Sequence, residues 1–69
     1  MILQLINLIS NLPSGTVFSI TTIWLNSNGI NANANNAKLL GSKFAKIYFN
    51  YNCKLVGKHS NNLNVYEKV

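Results

Sequence analysis

The sequence predicts an α+β domain, helical over its first two thirds and closed by a β-hairpin. Apolar residues recur at helical spacing near the N-terminus and again over residues 37–51. Two strand-like runs, 53–58 and 63–69, flank the turn-forming His59-Ser60-Asn61-Asn62. With 48% hydrophobic residues the chain carries enough apolar surface to pack a core, and its 69 residues allow one domain, residues 1–69.

Ile2, Leu5, Ile6 and Ile9 share one helical face, with Gln4, Asn7 and Asn11 opposite. This stretch has no Lys or Arg ahead of it, is interrupted by Gln4 and Asn7, and stops at Pro13. It is therefore well short of the roughly 20 apolar residues a spanning helix needs, so a core helix and no membrane association are expected. Pro13 disfavours helix at Leu12, and Ser14-Gly15 supplies a turn. A short strand at Thr16 to Phe18 follows, then a short helix from Ile20 to Leu25 with Ser19 as its N-cap. Asn26-Ser27-Asn28-Gly29 ends that helix and leaves a polar loop to about Ala34.

The third helix has the strongest periodicity. Ala37, Leu40, Gly41, Phe44, Ile47, Tyr48 and Tyr51 line one face, Asn33 or Asn35 can cap it, and Asn50 to Asn52 end it. Its other face presents Asn35, Lys38, Ser42, Lys43, Lys46 and Asn50. In the hairpin, Leu55, Leu63 and Val65 are expected to form the buried face, with Lys54, Lys58, Asn64 and Lys68 outside. Gly57 marks a bulge or a close backbone approach.

Charge narrows the function. Six Lys stand against the single acid Glu67, with no Arg and no Asp, giving a net charge of +5. Carboxylate acid-base chemistry has almost nothing to work with. Cys53 and His59 alone cannot build a disulfide or a four-ligand zinc site, and no third group orients them as a catalytic pair. The expectation is a protein without enzymatic activity, metal or cofactor, in a reducing, cytoplasmic setting. The Asn richness carries little functional weight.

Helix, short strand, short helix, basic helix, hairpin is the order of a winged helix-turn-helix, in which the third helix enters a DNA groove and the hairpin wing touches backbone. Five of the six Lys fall on the third helix or the first hairpin strand. Lys38, Lys43 and Lys46, with Ser42 among them, are candidates for phosphate contact, and Lys54, Lys58 and His59 for contact from the wing. The bland alternative is a solvated basic face. Asn33, Asn35 and Asn36 can read adenine edges or simply cap the helix. Phe49, off the core face, can stack a base or pack under the hairpin, and Tyr66 is a second stacking candidate. Without Arg, bidentate guanine readout of duplex lacks its commonest tool, so single-stranded DNA is expected to bind at least as well as duplex.

A closer resemblance lies in Leu12-Pro13-x-Gly15-Thr16-x-Phe18, the following Trp24, Leu40-Gly41-x-x-Phe44, and Asn62 with Tyr66-x-Lys68. Over residues 12 to 68 the chain resembles a small winged-helix family of bacterial plasmids, phages and chromosomal cassettes whose members are associated with single-stranded DNA binding. The resemblance implies a DNA-binding protein of a mobile element. Leu3, Leu8 and Leu39 fall outside the core stripes, and support a competing expectation: a module that dimerises or docks on a replication or defence protein. A duplex-binding transcriptional regulator is a third reading, and a cationic membrane-active peptide a weaker one that the turn and hairpin signals disfavour.

Overall fold

The computed structural model describes residues 1–58 and 63–69; the expected hairpin turn, with His59 and Asn62, lies outside them. In chain order the elements are α1 (Ile2–Ser10), β1 (Val17–Phe18), α2 (Ile20–Leu25), α3 (Ala34–Phe44), a 3₁₀ turn (Tyr48–Tyr51), β2 (Cys53–Lys58) and β3 (Asn64–Lys68). The fold is α+β, but the expected two-stranded hairpin is part of a three-stranded antiparallel sheet of order β1-β3-β2. Val17 pairs with Glu67 and Phe18 with Tyr66, so β3 is the central strand.

Local chemistry explains most element ends. Thr16 N donates to the Pro13 carbonyl at 3.2 Å, closing a turn whose third residue, Gly15, has φ 91°, a conformation that a Cβ makes costly. Thr22 N donates to Ser19 Oγ at 3.3 Å, and Asn36 N to Asn33 Oδ1 at 2.9 Å, so Ser19 and Asn33 cap α2 and α3. The buried Trp24 donates its indole N–H to the Asn31 carbonyl at 2.9 Å, tying the α2–α3 loop to the core.

α3 is shorter than the periodicity predicts. After the α-type bond from Ala45 N to the Gly41 carbonyl, Lys46 N and Ile47 N each reach back only three residues, to Lys43 and Phe44. The β-branched and aromatic run Ile47-Tyr48-Phe49 is a weak helix former, and it tightens into 3₁₀ geometry where it packs against α1 and β2.

The core gathers Leu5, Ile9, Phe18, Trp24, Leu40 and Phe44 around Tyr66. The Tyr66 ring meets Phe44 edge-on at 5.0 Å between centroids, with Tyr48 at 5.3 Å and Phe18 at 5.9 Å. The expected hairpin faces need correction. Cys53, Tyr66 and Lys68 are buried, whereas Leu55, on an edge strand, stays exposed, and Leu63 and Val65 are half-buried. Lys68 does not point to solvent: its ammonium donates to the carbonyls of Ile9 (3.1 Å), Ser10 (3.4 Å) and Leu12 (3.4 Å), at the C-terminal end of α1. The Ile9 carbonyl also accepts from Leu12 N at 3.0 Å, so Lys68 adds a second donor there, and a cation at this end complements the helix dipole.

Candidate nucleic-acid interface

Every charged side chain of the protein lies at or beyond Lys38. The first 37 residues contribute α1, β1, α2 and the α2–α3 loop and contain no Lys, Arg, Asp, Glu or His. The cations are thus confined to α3, the segment after it, and the two long strands.

Within the cationic half, α3 and the sheet enclose a groove of about 300 Å³. Lys38, Gly41, Ser42 and Ala45 form its helix wall, and Lys58, Asn64 and Tyr66 its sheet wall. One stripe of α3 supplies the first set, because residues spaced by three, four and seven fall on the same side of a helix. Gly41, expected on the core face, is half-buried here instead.

Lys58 reaches the groove through an irregularity in the sheet. Cys53 to Leu55 pair regularly with Lys68 to Tyr66, then the register shifts, so that Gly57 faces Val65 and Lys58 faces Asn64. The extra residue, Val56, is a β-bulge, and it reverses which face each later side chain takes. Lys58 was expected outside with Lys54; the bulge turns it to the Asn64 and Tyr66 face. Lys54 stays on the opposite face, 3.5 Å from Glu67. The one acidic side chain is therefore kept off the groove.

The groove wall also holds polar hydrogen. Asn64 Nδ2 donates to Tyr66 Oη at 3.2 Å, which leaves the phenol's own proton free to donate. Burial pushes the Tyr66 hydroxyl above its ordinary value of 10.0, against the bond from Asn64, so it adds no negative charge at neutral pH.

The remaining candidates divide. Lys43, Lys46 and Asn35 are exposed, Lys43 in the last turn of α3 and Lys46 just past the helix rather than on it. The half-buried Asn36 spends one amide N–H on the Asn31 carbonyl at 2.9 Å, a structural use of the side chain. Phe49 does not pack under the hairpin: it is 65% exposed on the 3₁₀ turn, with Tyr48 edge-on at 5.7 Å. Tyr66 is 1% exposed and is corrected as a stacking platform. Asn64 and Gly41 were missed as site residues. The signals for them were the bulge glycine Gly57 and a glycine inside a strongly periodic helix.

A second groove of about 290 Å³, lined by no charged side chain, lies between α1 and the α2–α3 loop. Leu8, Trp24 and the 99% exposed Ile30 line it, while Leu3 and Leu39 are exposed separately and do not. Among the described residues no helix is long and apolar enough to cross a membrane, and no cluster of His, Cys, Asp or Glu could hold a metal. Comparison with protein-family models, curated proteins and solved structures gives no match to this chain.

Proposed function

We propose that this protein is a non-enzymatic DNA-binding domain of winged-helix type, meeting phosphates through Lys38, Lys43, Lys46 and Lys58 and binding single strands at least as well as duplex. The observation that carries it is the segregation of charge along the chain: the first 37 residues hold no charged side chain, and in the cationic remainder the only carboxylate side chain is paired with Lys54. Ammonium groups with no acid among them gain by releasing the counterions of a polyanion. The order of three helices followed by β2 and β3 agrees with the order expected of a winged helix, though β1 adds a third strand to the sheet; this order supports α3 and the two long strands as the contacting elements. The resemblance in residues 12 to 68 supports an origin in a mobile element. Titration of matched single- and double-stranded oligonucleotides at several salt concentrations tests the reading. Steep loss of affinity with salt is expected, and salt-independent binding or none contradicts it.

A second reading, a protein-binding module, is favoured by the uncharged groove lined by Leu8, Trp24 and Ile30. With a net charge of +5, two copies meet with least repulsion through this groove. Association that is insensitive to salt and lost in Ile30→Ser marks that reading.

A further inference from the structure

Resting on the nucleic-acid reading, we propose that the groove between α3 and the sheet seats one backbone phosphate of a single DNA strand. Lys38 neutralises it from the helix wall and Lys58 from the sheet wall, and Gly41 leaves the room it occupies. Three independent features converge on this slot.

The first is the bulge at Val56. A regular ladder would put Lys58 on the outer face beside Lys54 and Glu67; the shifted register instead brings a second ammonium to the groove that already holds Lys38. Two like charges facing one concave site with no carboxylate between them favour an anion there.

The second is Gly41. Glycine is among the poorest helix formers, yet Gly41 sits inside α3 without a left-handed backbone. A Cβ at this position would meet nothing within 4 Å, so neighbouring packing does not require its absence. What a side chain there would fill is the slot itself.

The third is size and shape. About 300 Å³ is at the small end of ligand pockets, enough for one nucleotide unit rather than a larger partner. A flexible strand can turn a phosphate into a recess, whereas a duplex, stiff over about 50 nm, presents its phosphates along a fixed rod. Ser42 and the Asn64 amide add neutral hydrogen bonding to the two charges.

The test uses fluorescence anisotropy with a labelled oligothymidylate of about 12 nucleotides and, in parallel, a duplex. Gly41→Leu is expected to stay folded, with a far-ultraviolet spectrum like wild type, and to bind the oligothymidylate about tenfold or more weakly. Lys58→Gln should flatten the salt slope by about 0.7, and Lys54→Gln, across the sheet, should leave it unchanged. Should Gly41→Leu fail to fold, the contrast between Lys58→Gln and Lys54→Gln decides. Wild-type affinity in a folded Gly41→Leu, or equal loss of slope in both Lys variants, overturns the slot while leaving DNA binding intact. Wild-type protein that binds no oligonucleotide overturns both. An equal Gly41→Leu loss on duplex overturns the assignment to a single strand, and displacement of the oligothymidylate by inorganic phosphate at matched ionic strength overturns the assignment to a strand's backbone.

Discussion

The Lys68 ammonium donates to the Ile9 carbonyl at 3.1 Å across 59 positions of sequence, fastening the central strand to the end of the first helix. The Ser10 and Leu12 carbonyls share the same donor, so this buried cation holds backbone rather than ligand. Lys68→Met keeps most of the stem and removes the charge, leaving three carbonyls without it. A loss of about 1.5–3 kcal/mol is expected, because hydrogen bonds to charged groups are the costly ones to remove. A urea midpoint equal to wild type would contradict the assignment.

Gly41→Ala should move stability and binding in opposite directions. Replacing an interior helical glycine gains about 0.5–1 kcal/mol, and here the added methyl meets no neighbour. Urea denaturation should show a higher midpoint, and anisotropy a weaker complex with a single strand. A variant that is both more stable and as tight a binder would remove the functional reason for the glycine.

Much of the architecture was legible in the sequence because it is written in local signals. Ser19 and Asn33 cap the helices, Gly15 makes the turn, and Gly57 announces the bulge. Tertiary choices were not legible. Periodicity alone carried the third helix through Ile47 to Tyr51, where packing prefers a tighter coil. The pairing of β1 with β3 joins residues about 50 apart and has no local signature. Lys68 looked like an outer-face residue because strand alternation cannot foresee that helix carbonyls will wait on the inner face. Likewise Gly57 signalled a bulge, but only the register shows that it delivers Lys58 to Lys38's groove.

Stability should be lost on the alkaline side. Burial raises the Cys53 thiol above its ordinary 9.0, opposed by the Lys68 ammonium, and burial likewise raises the Tyr66 hydroxyl above 10.0. Each group keeps its proton longer when folded than unfolded, so the folded state binds more protons above these ordinary values and stability falls as pH rises. Urea midpoints measured from pH 7 to 11 should hold level near neutrality and decline above about pH 9. A decline that is unchanged in the double variant Cys53→Ala, Tyr66→Phe would assign it to other groups.

Phe49 is the exposed ring on which a base can stack, on the 3₁₀ turn and outside the groove lining. Base–aromatic stacking contributes about 1–3 kcal/mol, so Phe49→Leu should weaken single-strand binding five-fold or more, by the same energy scale, with little change in the salt slope. Undiminished affinity in the folded variant would leave Phe49 without a role in binding.

The most direct measurement of the central claim is competition at moderate salt. A labelled single strand bound to wild-type protein is challenged with unlabelled single strand or with duplex of the same sequence. The account predicts that unlabelled single strand displaces the label at equal or lower concentration than duplex does, because a flexible chain can lower a phosphate between Lys38 and Lys58. Duplex displacing the strand at sub-stoichiometric concentration would contradict it.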